Sequence, residues 1–558
     1  MNQRHLVPPC GAPGTPELLE SIRDLASPLA FVEGPREQLL RVEGGEIHWP
    51  TRSGTASEND RHPVVAFAPP TPPQALGDAS FTADYGVRFP YVAGAMANGI
   101  ASVELVRATA HAGMLAFFGA AGLPIDDVAR AIDELASLGD LPYGFNLIHS
   151  PNEPNLESET VALYIARGIR LVEASAFLDL TLPVVRYRVH GIHRTADGRV
   201  VCPNRLIAKA SRIEVASKFF APPPEALLDA LVRRGEITPE QKEWARTIPM
   251  ASDLTAEADS GGHTDNRPAL TLLPTFLALR DRLAAEYRYD VPLRVGAAGG
   301  IATPTSTAAA FSMGAAYVLV GSVNQACVES GSSDTVRKML AETEQADVIM
   351  APAADMFEMG VQVQVLKRGT MFAMRGAKLY DLYRRYDSLD EIPPHERAQL
   401  EKTIFRAPLE EIWERTCEFF AARDPGQLGR AQEDAKHQMA LVFRWYLGLS
   451  SYWANQGEPT RKIDYQVWCG PAMGAFNEWT RETFLAAPEA RRVETVAHNL
   501  MFGAAVALRL NTLRTQGIEW AWGRDALAPL EPAGLAARLD ALDPRVPHRS
   551  ESQPREAQ

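Results

Sequence analysis

From Phe89 onward the chain alternates short apolar runs with amphipathic stretches. Nine runs have the length and composition of strands: Phe89–Ala95, Met114–Gly119, Tyr143–Ile148, Leu171–Ala176, Val184–Val189, Arg205–Ala210, Ala251–Ala258, Val291–Ala297 and Tyr317–Val320. Helical patterns fill the gaps at Val103–Ala112, Ile125–Leu138, Glu159–Arg167, Pro224–Arg234, Ala269–Tyr287 and Thr305–Gly314. Thr238-Pro-Glu-Gln241 reads as a capping box ahead of one more helix. Strand and helix alternating over this length predict an all-parallel sheet. One run is surplus to eight. Val184–Val189 and Val200–Arg205 flank the turn signal Ala196-Asp-Gly198, so a hairpin excursion can absorb it. The fold class expected is α/β: a closed (β/α)8 TIM barrel with an appended or inserted helical region.

After residue 330 the beat changes to long helical patterns: Asp334–Thr343, Ala377–Tyr386, Pro393–Ile404, Leu409–Ala422, Gln427–Gly448 and Arg491–Gln516. The organisation predicted is an N-terminal segment over 1–84 with a linker at 51–60, then the barrel over 85–365. A helical region over 366–545 and a disordered tail over 546–558 follow.

Composition narrows the class of partner. The chain has 558 residues, 46% hydrophobic and 22% charged, with a formal net charge of −13. That balance argues against a nucleic-acid binder, which needs a basic face. An acidic partner would have to dock on a local basic patch. The five cysteines (Cys10, Cys202, Cys327, Cys417, Cys469) are scattered without metal-ligand spacing and read as reduced thiols. No signal sequence or membrane-length apolar run is present, so the expectation is a cytoplasmic protein with no membrane contact. Walker A, Gly-x-Gly-x-x-Gly, Gly-x-Ser-x-Gly and His-Glu-x-x-His motifs are all absent.

The densest signal lies at 293–324. Two apolar strands each end in glycine, at Gly299-Gly300 and at Gly321-Ser322. Glycine allows close backbone approach to an anion. Thr303 can cap the next helix, and Pro304 suits its first position. Two consecutive strand–glycine–helix units are what the last quarter of a (β/α)8 barrel uses to hold a phosphate. The alternative is a pair of ordinary glycine turns.

The first strand ends in Ala93-Gly-Ala-Met-Ala-Asn-Gly-Ile-Ala101. Its small residues leave room for a flat ligand, which Met96 and Asn98 could contact. Asn146 stands on a strand of the same set and is either a site residue or a turn residue. Ala256-Glu-Ala-Asp-Ser-Gly-Gly-His-Thr-Asp-Asn-Arg267 carries His263, an acid/base candidate, on a loop whose double glycine can fold over a ligand. Lys209, inside an apolar strand pattern, either needs a partner in the interior or reaches solvent at the strand end. Residues 365–386 hold Lys367, Arg368, Arg375, Lys378, Arg384 and Arg385 against one acid, Asp381. They read as a docking patch or as a solvated helix face. Cys469 lies in an aromatic, turn-rich stretch and reads as a core corner.

These pieces, in this order, resemble the flavin barrel of nitronate monooxygenases, which FMN-dependent enoyl-acyl-carrier-protein reductases share. The stretches 257–268, 364–375 (Gln-Val-Leu-Lys-Arg-Gly-Thr-Met-Phe-Ala-Met-Arg) and 462–479 (Lys-Ile-Asp-Tyr-Gln-Val-Trp-Cys-Gly-Pro-Ala-Met-Gly-Ala-Phe-Asn-Glu-Trp) narrow the likeness. They are similar to the PfaD-type trans-acting enoyl reductases of polyunsaturated-fatty-acid and trans-acyltransferase polyketide synthases. The resemblance runs from about residue 85 to 517.

It implies an FMN enzyme, reduced by NADPH, that passes hydride to the β-carbon of an enoyl thioester on an acyl carrier protein. On that reading Gly299, Gly300, Gly321 and Ser322 hold the FMN phosphate. Ala95, Met96, Asn98, Asn146 and Gly262 line the flavin. His263 protonates the α-carbon or orients the carbonyl, and Lys209 contacts flavin or carbonyl. No metal is implied, and a homodimer is one of the oligomeric states left open. Two rivals stand beside it: a nitronate monooxygenase-type flavin oxidase, and a non-catalytic synthase component.

Overall fold

A computed structural model describes residues 16–33, 39–42, 64–151, 154–518 and 523–543. The linker at 51–60, the tail at 546–558 and Cys10 lie outside the described residues. Eight parallel strands close into a barrel: β1 (Tyr91–Ala93), β2 (Leu115–Phe118), β3 (Gly144–Ile148), β4 (Leu171–Ser175), β5 (Arg205–Ala210), β6 (Asp253–Glu257), β7 (Arg294–Ala298) and β8 (Val318–Val320). Each pairs with its sequence neighbour, and Val318 opposite Tyr91 closes the ring. The strands are short and almost wholly buried, because a barrel wrapped by helices hides both faces of its sheet.

The surplus run, Val184–Val189, is not a strand. It lies in a helix, Leu182–Val189. Thr181 caps that helix by accepting from the amide of Val184, and Pro183 sits in its first turn. These start signals override the β preference of the paired valines. A hairpin does form around Ala196-Asp-Gly198, but its strands are His193–Arg194 and Val200–Val201. The helical pattern at Gln427–Gly448 is two helices, Pro425–Glu433 and Ala435–Gln456. Asp434 breaks it with an extended backbone and accepts from the amides of Lys436 and His437.

The chain divides into two compact units. The larger covers 77–302 and 313–494 and holds the barrel strands together with the helices up to 494. At the N-terminal end of its barrel, Arg294 bridges Asp253 (2.6 Å) and Asp84 (2.8 Å), and the Tyr85 hydroxyl donates to Asp253 (2.7 Å). This buried network faces the end away from barrel active sites and is structural. The helical part has its own core around Phe357, Phe372, Phe405, Phe443 and Tyr446. Beneath it Asp464, fully buried, gathers Arg375, Arg406, Arg461 and the Tyr446 hydroxyl.

A second sheet in this unit is a further difference from expectation. Gly262–His263, Gln362–Leu366 and Val348–Pro352 pair antiparallel, with the middle segment in the centre. The alternation in Val361-Gln-Val-Gln-Val-Leu366 is its sequence signal.

The smaller unit contains 1–76, 303–312 and 495–558. Its described part has a three-stranded antiparallel sheet (Leu39–Val42, Leu29–Glu33, Val64–Ala68) and helices. Thr303 caps the helix Pro304–Ser312 by accepting from the amide of Ser306 (3.1 Å). Among the described residues no helix is long and apolar enough to cross a membrane.

Candidate active site

The C-terminal ends of the barrel strands open into a cavity of ≈ 800 Å³ within the larger unit. That volume is typical of small-molecule sites, which run from roughly 300 to 1,000 Å³. Every residue expected at the site lines it. Ala95, Met96 and Asn98 come from the loop after β1, Asn146 from β3 and Lys209 from β5. Gly262 and His263 come from the loop after β6, Gly299 and Gly300 follow β7, and Gly321 and Ser322 follow β8. The barrel brings them together because parallel strands all point their C-terminal ends the same way.

The backbone around this opening is held in uncommon conformations. Asn98 (φ 56°) and Ala176 (φ 60°) line the cavity in the left-handed region, and Asn266 (φ 51°) follows three residues after His263. Such conformations cluster where the fold over-determines a functional loop. Asn98 is pinned from outside the barrel: its side-chain amide donates to Ser451 (2.9 Å) and its carbonyl accepts from Asn455 (3.3 Å).

The glycines at the strand ends face two ways. A Cβ on Gly299 (φ +85°) would lie 2.7 Å from the Ala258 carbonyl carbon, so only glycine fits there. A Cβ on Gly300 or Gly321 would meet nothing within 4 Å, so both front open cavity. Ser322 accepts from the amide of Gly470 (3.1 Å), which leaves its hydroxyl proton to donate. The buried hydroxyl of Ser260 has no protein partner. An open glycine cradle beside an unsatisfied hydroxyl fits a bound polar group such as a flavin phosphate or ring edge.

His263 sits on the short strand Gly262–His263, whose partner strand is Gln362–Leu366. Its Nε2 lies 3.1 Å from Asp355 Oδ1. Burial pulls the imidazole's pKa down, but the Asp355 carboxylate outweighs this and the net shift is upward. Asp355 moves the opposite way, held low against its own burial by the imidazole. His263 is therefore poised to carry a proton near neutral pH.

On the barrel floor Lys209 lies between Glu257 (3.4 Å) and Glu173 (3.7 Å). Burial disfavours its charge, but the two carboxylates more than compensate and hold it as ammonium. The Lys209 side chain is mostly buried, 12% exposed, and faces the cavity. Glu173 is fully buried. One of its oxygens accepts from the amide of Ala95 (3.1 Å), and the other has no partner. Burial pushes its pKa up to about 7, against the pull of Lys209. Asn146 donates to the Glu173 carbonyl (3.1 Å) and to Ser175 (3.0 Å), which fixes its side chain at this floor.

Sequence reasoning did not single out Asp355 or Glu173. A carboxylate inside the apolar run Leu171-Val-Glu-Ala-Ser175 was the available signal for Glu173. Asp355 had none, since 92 residues separate it from His263.

Other candidates fall away from the site. Cys469 is buried and pushed up to about 12 by desolvation, which suits a core thiol. The basic run of 365–386 is not a free patch. Arg368 pairs with Asp347, Arg375 with Asp464, Lys378 with Glu396, and Arg385 with Asp381 and Glu396.

The outer wall of the cavity comes from the helical part. Helix Leu409–Arg423 contributes Phe419 and Phe420, and helix Ala435–Gln456 contributes Leu441, Trp445 and Tyr452. The site is a polar, glycine-lined barrel mouth facing a helical wall of aromatic and aliphatic side chains interspersed with Arg423, Arg444 and Asn455.

This fold and site define a barrel oxidoreductase, and the chain belongs to the nitronate monooxygenase family, whose model matches residues 80–379. A second model, described as the inserted helical domain of acyl-carrier-protein S-malonyltransferase, matches residues 386–465. One of the polyunsaturated fatty acid synthase subunits of Thraustochytrium sp. is 46% identical over 544 residues, covering 94% of this chain. Polyketide biosynthesis protein PksE of Bacillus subtilis is 44% identical over 439 residues, covering 78%. The chain spans 36% of the first relative and 57% of the second. Among solved structures, the enoyl reductase domain of MlnA from the macrolactin biosynthesis cluster of Bacillus amyloliquefaciens matches with a TM-score of 0.75 and 39% identity. That match covers 79% of this chain and 99% of that one.

Proposed function

We propose that this chain is an FMN-dependent, NADPH-driven enoyl reductase. Its substrates would be α,β-unsaturated thioesters on the acyl carrier protein of a cytoplasmic polyketide or polyunsaturated-fatty-acid synthase. The observation that carries the reading is the single cavity in which strand-end glycines, the His263–Asp355 pair and Lys209 face an apolar wall. The 39% identical enoyl reductase domain supports it.

On this reading Gly299, Gly300, Gly321 and Ser322 hold the phosphate of FMN. Ala95, Met96, Asn98, Asn146 and Gly262 lie along its ring. A flavin held there would supply hydride transfer from a reduced nicotinamide to the β-carbon of the enoyl thioester. The chain's own groups then manage charge and protons. His263, its Nε2 held by Asp355, would offer the proton on Nδ1 to the α-carbon or to the thioester carbonyl oxygen. Lys209 holds positive charge at the barrel floor, where electron density gathers during reduction.

A nitronate oxidase would use the same barrel, and the family match keeps that reading in view. A small nitro compound has no use for the apolar wall from helices Leu409–Arg423 and Ala435–Gln456. The test is an absorbance spectrum of the purified chain, followed anaerobically. Bleaching by NADPH and recolouring by a crotonyl carrier-protein thioester is the expected result. Recolouring by oxygen and nitronate alone would favour the oxidase, and a chain that takes up no flavin would favour a non-catalytic role in the synthase.

A further inference from the structure

Along helix Ala435–Gln456 the cavity-lining residues Leu441, Trp445, Gly448 and Tyr452 recur at helical spacing, so one face of the helix forms the wall. Gly448 stands in the middle of that face. Glycine is the poorest helix former after proline, so its presence in a helix interior needs a reason. Two common reasons are absent. Gly448 is not in the left-handed region, and a Cβ built on it would meet nothing within 4 Å. By contrast, a Cβ on Gly376 of the same unit would press on Leu447 and Pro352 at 3.2–3.3 Å. Gly448 is exposed, and what it provides is open space, a notch at the cavity rim between Trp445 and Tyr452.

We propose that this notch receives the acyl chain beyond the reacting carbons, and that residue 448 sets the chain length the enzyme accepts. The inference rests on the enoyl-reductase reading of the site. The surroundings favour a hydrocarbon over the amide-bearing pantetheine arm. Leu441, Trp445 and Tyr452 flank the notch, and helix Leu409–Arg423 adds Phe419 and Phe420 to the wall. Among the polar groups on the same wall, Arg444 pairs with Glu358 (3.3 Å), Ser451 accepts from Asn98, Asn455 donates to the Asn98 carbonyl, and the Arg423 guanidinium lies over the Phe419 ring. Lys209 comes instead from β5, His263 from the loop after β6, and Asp355 from the turn between two strands of the second sheet. Phe419 (52%) and Tyr452 (56%) stand exposed on this wall, and a hydrocarbon laid along it would remove apolar surface from water, which the amides of a pantetheine arm would not do.

The test is binding of saturated acyl-pantetheine thioesters, from butyryl to tetradecanoyl, to the full chain and to Gly448→Ala and Gly448→Leu, read by tryptophan fluorescence. In the parent, affinity should rise roughly fourfold per methylene until the notch is filled. Gly448→Leu should bind butyryl like the parent and stop gaining at a shorter chain, with dodecanoyl weakened at least tenfold. Gly448→Ala should lose about fourfold on the longest chains only and should melt no lower than the parent.

A parent-like chain-length profile in Gly448→Leu would overturn the proposal. So would equal weakening of butyryl and dodecanoyl, or a lowered melting temperature in Gly448→Ala, which would mean the glycine serves packing. Turnover of crotonyl-pantetheine by the parent separates the two ideas. Chain-length-dependent binding without any turnover would leave the notch standing and defeat the reductase.

Discussion

Replacing Glu173 by Gln tests the charge balance of the barrel floor most directly. The substitution keeps the shape and the oxygen that accepts from Ala95, and removes a titrating proton. Glu173 is fully buried, and its pKa is pushed from 4.5 up to about 7. Between those values the folded chain holds a proton that the unfolded chain has released. Stability from this group is therefore intact below 4.5 and falls as pH rises through 7. At 1.36 kcal/mol per pKa unit, the move from 4.5 to about 7 corresponds to about 3 kcal/mol. The Gln variant has no such slope. Its stability relative to the parent should improve by about 2–3 kcal/mol between pH 5 and pH 8, read from denaturation midpoints at each pH. Infrared difference spectra across the same range should show a protonated-carboxyl band in the parent that the variant lacks. A variant-minus-parent difference that stays flat with pH, with no such band, would refute the argument and leave Glu173 ionised throughout.

Three further outcomes are expected. His263→Ala should keep FMN but lose about 10²–10⁴ in turnover, the usual contribution of a general acid; undiminished turnover would remove His263 from the chemistry. Because Asp355 raises the imidazole pKa and the acid form is the active one, turnover should fall as pH rises through that pKa. Asp355→Asn should move the fall to lower pH, and an unmoved profile would separate the pair from catalysis. Gly299→Ala forces a Cβ to 2.7 Å from Ala258 at a φ of +85°. It should release FMN on gel filtration while the fold persists by circular dichroism; full flavin retention would place the phosphate elsewhere.

Much of the barrel was legible in the chain because its signals are local. Eight of the nine apolar runs became barrel strands, and the helix Ala269–Tyr287 has the bounds its periodicity predicts. Gly299 and Gly300 marked the turn after β7 by residue type alone, and both adopt the positive φ that glycine allows. The ninth run misled because paired valines favour strand, while the decisive cap, Thr181 with Pro183, lay outside it. The second sheet's edge strand escaped because Gly262–His263 is two residues long and pairs across about 100 residues of chain, Gly262 with Gln364.

The sequence by itself determined the strand–helix rhythm, the glycine-ended strands and the presence of a histidine on a glycine loop, since each follows from neighbouring residues. Tertiary structure alone decided which charges meet. It set Asp355 behind His263 and enclosed Lys209 between Glu173 and Glu257. It also consumed four of six basic side chains of 365–386 in ion pairs, and laid the notch of Gly448 on the cavity wall. Electrostatic partners and cavity shape depend on distances between residues remote in the chain, and only the closed barrel with its helical wall sets those distances.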